Sequence, residues 1–245
     1  MGLTTEDLVN SVSPKIGSLG AAFYFTPPTL AMGKELGLDG FRFYVLGRGG
    51  VLGATNAATV HSAFGYFSPK LVERMWTTAA EVADPLTTAG IYYEACANHG
   101  RAKLGDLDLT AFCAAADQVV EAADGAGMPL FAGIRSLPRV ADLPGRAAQL
   151  IAVLREFRGS AHLAAVRAAG LDSHIAHFIK RPTDIELFGY PADAGEEVTD
   201  EDRAKLAEAE RMTDRIVMPA FAVLDESHRQ ALLDGVTAIE AAYAA

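Results

Sequence analysis

The stretch Arg146–Ala161, RAAQLIAVLREFRGSA, carries the clearest periodicity in the chain. Apolar side chains recur there at i, i+3, i+4, i+7 and i+11, the spacing of one helical face, at Leu150, Val153, Leu154, Phe157 and Ala161. Gly159 lowers the helix propensity without breaking the run. We predict a helix from Arg146 that continues to Ala169 and ends at Gly170.

The remaining sequence also favours helices. Alternating β-branched runs are scarce, and alanine, the best helix former, is abundant throughout. Further helices are expected over 4–12, 27–36, 41–46, 55–67, 69–76, 87–100, 108–125, 129–137, 172–180, 199–217 and 225–243. The predicted fold class is therefore mainly α, a helical bundle.

Two proline- and glycine-containing segments, 138–145 and 182–195, are candidate boundaries. Neither is long enough to be a free linker. We predict an N-terminal helical half over 1–140, which holds a glycine-rich loop, and a C-terminal helical half over 141–245.

The composition limits the classes of partner. Half of the 245 residues are hydrophobic and the mean hydropathy is +0.16, so the chain can bury a large core. The net charge of −10 makes nucleic acid an unfavourable partner, because phosphates repel an acidic surface. No apolar run reaches membrane-spanning length and the first residues do not form a signal peptide. With two unpaired cysteines, these features predict a cytoplasmic protein without a membrane partner.

Several short motifs resemble an actinobacterial family of helix-turn-helix-like proteins whose activity is undefined. They are the glycine-rich run Phe41–Gly53, the Ala-Phe-x-x-Phe-x-Pro run Ala63–Pro69, the Leu-Arg-Glu-x-Arg-Gly-x-x-His run Leu154–His162, Gly170–Asp172 and Thr213–Ala220. The family is similar to degenerate winged-helix regulators of the MarR type. The resemblance implies a bundle with winged-helix-like halves and, by analogy, a homodimer.

The same resemblance places a wing and its following helix near Thr183–Asp214. A wing that contacts DNA needs lysine and arginine to neutralise phosphates. This segment instead holds eleven acidic and three basic residues, a balance of −8. We therefore expect a scaffold of regulatory ancestry that has lost DNA binding.

The glycine-rich run around Arg48, Gly49 and Gly50 is the first candidate site. Glycines let backbone N–H groups approach an anion, and an arginine can hold a carboxylate through two hydrogen bonds. The alternative is a tight helix–helix turn. His61 follows on the next predicted helix and faces either this site or the core.

Arg158 and His162 form the second candidate site, at the edge of the apolar face of the 146–169 helix. They could bind an acidic ligand, and His162 could transfer protons. The alternative is an ion pair that ties two helices together. His174 and His177 share a helix face at i, i+3, but no third ligand accompanies them, so no metal site is predicted.

Aromatic residues are concentrated in the first 67 positions, where they form core or the wall of a pocket for a planar ligand. The leading hypothesis is thus a sensor or carrier that binds a small acidic or aromatic molecule through Arg48, Gly49, Gly50, His61, Arg158 and His162. The alternative is an enzyme, haem- or histidine-dependent, that uses the same pocket. No motif specifies a reaction or a cofactor, and a third hypothesis, a DNA-binding regulator with basic residues near Arg167, Lys180 and Arg181, is kept.

Overall fold

The computed structural model describes residues 2–244 and contains helices and no strands within that range. The mainly α helical bundle expected from the sequence is confirmed. Its helices are α1 Thr5–Leu19, α2 Pro27–Glu35, α3 Gly40–Gly49, α4 Ala57–Phe64, α5 Pro69–Ala80, α6 Pro85–Leu104, α7 Thr110–Ala122, α8 Pro129–Ser136, α9 Leu143–Ala168, α10 Ser173–Lys180, α11 Asp200–Phe221 and α12 Glu226–Ala244, with 3-10 helices at Gly50–Leu52 and Ala192–Glu197.

Helix α9 is the axis of the bundle. It contacts α1, α6, α7, α8, α10 and α11, so little of its surface faces solvent. All five residues of the predicted apolar face are buried, and so are Ala147–Leu154 without a gap. A helix that is buried on every side over two turns is typical of the centre of a core. The Asp142 carboxylate caps the first turn by accepting from the Gly145 N–H.

Two glycines allow α6 to lie close to its neighbours. A Cβ on Gly50 would overlap the Pro85 carbonyl oxygen at the start of α6. A Cβ on Gly100 would likewise overlap the Pro144 carbonyl oxygen at the start of α9. The main core forms around these crossings and draws residues from both sides of position 140. The proposed division at residue 140 remains a prediction.

Besides α2 and α3, which are joined through Gly37, two pairs of consecutive helices are connected by a four-residue turn with a glycine at positive φ, a connection found in helix-turn-helix motifs. In the first pair α4 ends at Gly65, with φ 73°, and α5 begins after the Ser68 cap. In the second pair the end of α9 leads through Gly170, with φ 71°, into α10. Only glycine adopts such a conformation without strain, which explains both turns.

The structure corrects several expected boundaries. The predicted loop at Gly47–Gly50 is helical, because α3 runs through Gly49 and a 3-10 turn follows. Helix α1 passes through Pro14 to Leu19, and α11 passes through Pro219 to Phe221. The segment 183–214 forms turns, a 3-10 helix and part of α11, so the wing expected there is missing from the described chain. Within residues 2–244 no helix is both long and apolar enough to cross a membrane.

Candidate functional site

A cavity of about 330 Å³ lies between α3, α4, α9 and α10. Eight aromatic and five cationic side chains line it, and no carboxylate of the described chain does. The aromatic lining is Tyr24, Phe25, Phe41, Tyr44, Phe64, Tyr66, Phe67 and Phe188, and the cations are Arg48, Arg155, Arg158, Lys180 and Arg181. The two predicted candidate sites thus contribute to one cavity.

One part of the cavity wall, at Arg48 and Arg155, is built on a buried ion cluster. Arg48 donates from Nε to Oε1 of Glu156 at 2.8 Å and from Nη2 to Oε2 at 2.9 Å. Arg155 donates to the same Oε1 at 2.6 Å, and the Tyr24 hydroxyl donates to it at 3.3 Å. The Arg48 guanidinium also lies 4.4 Å from the centroid of the Phe64 ring. One carboxylate therefore serves two guanidiniums.

The cluster keeps all three groups charged. Burial by itself would raise the pKa of Glu156, but Arg48 and Arg155 offset this effect and lower the pKa to about 2. Burial would lower the pKa of Arg48, and Glu156 instead raises it well above the usual value. The side chains of Arg48, Arg155 and Glu156 are 13 %, 23 % and 3 % exposed, so one positive charge is left uncompensated in a poorly solvated place.

Further along α9 the cavity wall contains Arg158 and His162. Arg158 donates from Nη2 to Glu210 at 2.9 Å, and Lys180 pairs with the same carboxylate. His162 Nδ1 lies 3.0 Å from the Thr213 hydroxyl. Burial, assisted by Lys180, lowers the pKa of His162 to about 4, so the ring is neutral at pH 7. The ion pair that ties α9 to α11 was one of the two interpretations given by the sequence.

The structure places the other predicted site residues away from the cavity. Gly49 packs against Val60 and Trp76, and Gly50 packs against α6, as in the alternative interpretation of the glycine-rich run. His61 Nε2 lies 3.1 Å from the Phe67 carbonyl oxygen, which fixes the ring beside the α4–α5 turn. Arg48, Arg158 and His162 line the cavity; Gly49, Gly50 and His61 do not.

Sequence reasoning missed Arg155 and Glu156, which complete the buried cluster. The signal lies in LIAVLREF, residues 150–157, where two charged residues interrupt a run that is otherwise apolar on every helical face. Such charges have to be paired inside the protein.

His174 and His177 serve packing in the described structure. His177 lies against Phe188, with 3.6 Å between ring centroids, and His174 stacks on Tyr190 at 5.4 Å. No group of three or more residues able to hold a metal ion lies within positions 2–244.

Helix α5, the second helix of the first helix-turn-helix pair, presents a polar face to solvent. Lys70 and Arg74 are exposed and occupy i, i+4 positions on that face, with Glu73 and Thr77 beside them. Neither cation forms a salt bridge with any residue that the structure describes. The opposite face buries Val72, Trp76 and Ala79. A cation pair on the outer side of such a helix is the arrangement that contacts phosphates.

The second pair offers no comparable surface. Lys180 pairs with Glu210, Arg181 with Asp184, and Arg167 with Asp172. Tyr190 stands 5.2 Å from the ring of Phe178 and so covers part of α10. The basic surface expected near Arg167, Lys180 and Arg181 is therefore neutralised by neighbouring carboxylates.

A model of a helix-turn-helix family matches residues 10–192, about three quarters of the chain. The chain belongs to this helix-turn-helix family. The match covers α2–α10 in full, including both helix pairs. No curated protein and no solved structure matches the chain.

Membership of this family contradicts the function expected from the sequence. The helix-turn-helix is typically a DNA-binding motif, and nothing in the match indicates that DNA binding has been lost. The expected sensor or carrier without DNA binding, and its enzymatic alternative, are therefore wrong as descriptions of the protein. That expectation rested on the charge of the whole chain and on the −8 balance of segment 183–214, and neither describes the outer face of α5, where two exposed cations form no salt bridge with the described residues.

Proposed function

We propose that the protein is a DNA-binding regulator that uses α4 and α5 as its helix-turn-helix unit. The observation that carries this proposal is the exposed pair Lys70 and Arg74 on α5, free of carboxylate partners within the described residues. In this motif the second helix enters the major groove and its first turns contact the DNA. Lys70 lies in the first turn of α5 and Arg74 one turn later.

The geometry of the turn supports the same assignment. Gly65 ends α4 at φ 73°, and the Ser68 hydroxyl caps α5 by accepting from the Leu71 N–H at 3.3 Å. Val60, Phe64 and Trp76 are buried between the two helices and the core. The unit is thus rigid, and its outer face is open.

The charges determine the expected affinity for DNA and its dependence on salt. Two phosphate contacts per copy predict that log Kd varies with log salt concentration with a slope of magnitude about 1.8, and a homodimer doubles this to about 3.6. A chain of net charge −10 repels DNA at long range, so binding should be strongest at low salt. We propose a homodimer, because one pair of cations gives little affinity and two copies double the contacts.

The finer assignments follow from this function. We propose ancestry shared with MarR-type regulators of actinobacteria, supported by the motifs at Ala63–Pro69 and Leu154–His162. We also place the protein in the cytoplasm, where bacterial DNA is found and where the two buried free cysteines stay reduced.

Selection from a pool of 30-base-pair duplexes with a random centre tests the proposal. The wild-type protein should enrich a defined sequence, and Lys70→Ala/Arg74→Ala should lose affinity and most of its salt dependence. Arg211→Ala/Arg215→Ala removes the same charge from α11 and should bind almost as well as wild type, because these two arginines pair with Glu208. No enrichment at low salt, or equal losses in both double variants, would overturn the proposal.

A further inference from the structure

The chain between α10 and α11 lies against the start of α5, and residues 182–198 are called the strap below. The Ser68 N–H, at the N-cap of α5, donates to the Phe188 carbonyl oxygen of the strap at 2.8 Å. The Phe188 ring stacks on the ring of Phe67, with 4.1 Å between their centroids. A Cβ on Gly189 would overlap the Ser68 hydroxyl, so the strap backbone packs directly on the helix start.

The strap carries only negative charge. It contains five carboxylates and no lysine, arginine or histidine, a balance of −5. Asp184 pairs with Arg181. The other four carboxylates are exposed and form no salt bridge with any residue that the structure describes: Glu186, Asp193, Glu196 and Glu197. An anionic segment is therefore held at the end of α5 that carries Lys70.

The strap occupies a position that DNA requires. The N–H groups at the start of a helix carry partial positive charge and donate to phosphates in protein–DNA complexes. The single N–H of Ser68 already donates to the Phe188 carbonyl oxygen. The first turn of the second helix in this motif also approaches the base edges. A strap docked there competes with a duplex through both its bulk and its charge.

The strap is held by few buried side chains. Ile185 is its one buried residue, and its regular structure is a single 3-10 helix at Ala192–Glu197. A segment with so little buried surface opens locally at a small cost in free energy. The start of α5 can thus become accessible while the rest of the bundle stays folded.

We propose that the strap is an autoinhibitory element of the DNA-binding unit. When docked, it covers the start of α5 and presents carboxylates to an approaching duplex. When undocked, it leaves the Ser68 N–H and the first turn of α5 to the DNA. This inference rests on the proposed function, DNA binding through α4 and α5, and it assigns a role to the acidic segment that the proposed function leaves without one.

Phe188→Ala tests the strap, because it removes the stack on Phe67 and keeps every charge. Weaker docking raises the fraction of protein that is competent for DNA, and the apparent Kd falls by the same factor. The loss of one aromatic pair predicts a gain in affinity of about three- to tenfold. Fluorescence anisotropy at low salt measures it, with a 30-base-pair duplex enriched from the random pool. Leu187→Ala, which shortens an exposed side chain of the same turn, is the control and should change the affinity less than about twofold.

The outcomes separate this inference from the proposed function. Equal affinities of the wild type and Phe188→Ala, or equal gains in Phe188→Ala and Leu187→Ala, would overturn the autoinhibition and leave DNA binding by α5 intact. Absence of duplex binding by all three proteins at low salt would overturn the proposed function and the autoinhibition together. Circular dichroism shows whether both variants are folded.

Hydrogen exchange of the wild-type protein decides the question if Phe188→Ala does not fold. The N–H groups of Phe188, Gly189 and Tyr190 form hydrogen bonds within the turn that docks on α5. Addition of the duplex should make these amides exchange at least about threefold faster, because DNA displaces the strap and the turn loses its support. Unchanged or slower exchange of these amides in the DNA complex would refute the autoinhibition.

Discussion

Arg48 on α3 and Glu156 on α9 lie 108 residues apart in sequence and form a buried ion pair through two hydrogen bonds. The pair joins α3 to the central helix α9. Its geometry is the planar fork that arginine offers to a carboxylate. Arg155, which lines the cavity, pairs with the same carboxylate. The buried ion cluster is therefore part of the core and also sets the charge of the cavity wall.

Removal of the shared carboxylate should destabilise the fold strongly. Glu156→Ala leaves two poorly solvated guanidiniums without a counter-ion, and the expected loss in the free energy of unfolding is about 3–5 kcal/mol. Urea denaturation followed by circular dichroism measures it. Glu208→Ala breaks the ion pairs with Arg211 and Arg215 on the exposed face of α11 and serves as the control, with little change expected. Equal losses in the free energy of unfolding of the two variants would show that the buried ion cluster contributes no more to stability than the exposed ion pairs do.

Acid should lower the free energy of unfolding at pH values above those at which the carboxylates titrate. Burial, followed by the effects of Lys180 on His162 and of Arg181 on His177, lowers the pKa of each ring to about 4. The unfolded rings titrate near pH 6.5. Stability is therefore full above pH 6.5 and falls toward pH 4, with a loss of roughly 2 kcal/mol for each ring between pH 7 and pH 5.

The double variant His162→Gln/His177→Gln tests this pH dependence. Its free energy of unfolding should decline less between pH 7 and pH 5 than that of the wild type, and the remaining decline comes from His99, whose pKa is also lowered by burial and by Lys103. A wild-type protein equally stable at the two pH values would contradict the expected effect.

The close crossing of α3 and α6 predicts opposite effects for two alanine substitutions. Gly50→Ala drives a methyl group into the Pro85 carbonyl oxygen and should cost about 2–3 kcal/mol. Gly90→Ala, in α6 with no atom near the added methyl group, should instead stabilise the protein by about 0.5–1 kcal/mol. Thermal melts compare the stability of both variants with that of the wild type. If Gly50→Ala left the stability unchanged, α3 and α6 would be able to move apart.

The turn 184–190 should oppose DNA binding. The Ser68 N–H at the start of α5 donates to the Phe188 carbonyl oxygen at 2.8 Å, and Phe188 stacks on Phe67 at 4.1 Å. This contact places the turn, which carries the exposed Glu186, against the first turn of α5. Glu186→Gln should therefore strengthen binding to the selected duplex by about two- to threefold at low salt.

The control for this prediction is Glu6→Gln, which removes one exposed negative charge from α1. Fluorescence anisotropy with the selected duplex compares the two variants. An equal gain in both would assign the effect to net charge and not to the position of the turn.

The sequence predicted α9 well because its apolar period is local. Leu150, Leu154 and Phe157 repeat along one helix, and no distant partner is needed to recognise them. The glycines around Arg48 mark it as a candidate site residue. Arg158 and His162 are candidates because they lie at the edge of the apolar face.

The rest of the cavity depends on contacts between distant segments. Arg155 lies outside the apolar stripe and would face solvent on an isolated helix, whereas here it donates to the Gly17 carbonyl oxygen of α1 and lies over the ring of Tyr24. Gly50 suggested a loop, although its role is to admit a neighbouring helix 35 residues further on at Pro85. The acidic segment 183–214 predicted a loss of DNA binding. That prediction was wrong, because the charge of a stretch of sequence does not show which surface of the folded protein carries it.

The turn 184–190 has a practical consequence for anyone who attaches a dye or an affinity tag. Leu187 and Phe188 close the cavity, Phe188 also supports the start of α5, and Tyr190 shields α10. A label inserted in this turn would disturb the cavity, the start of α5 and the surface of α10, although Leu187 is exposed. The exposed loop Gly105–Asp108 between α6 and α7 borders none of them, so a reporter placed there should record binding without taking part in it.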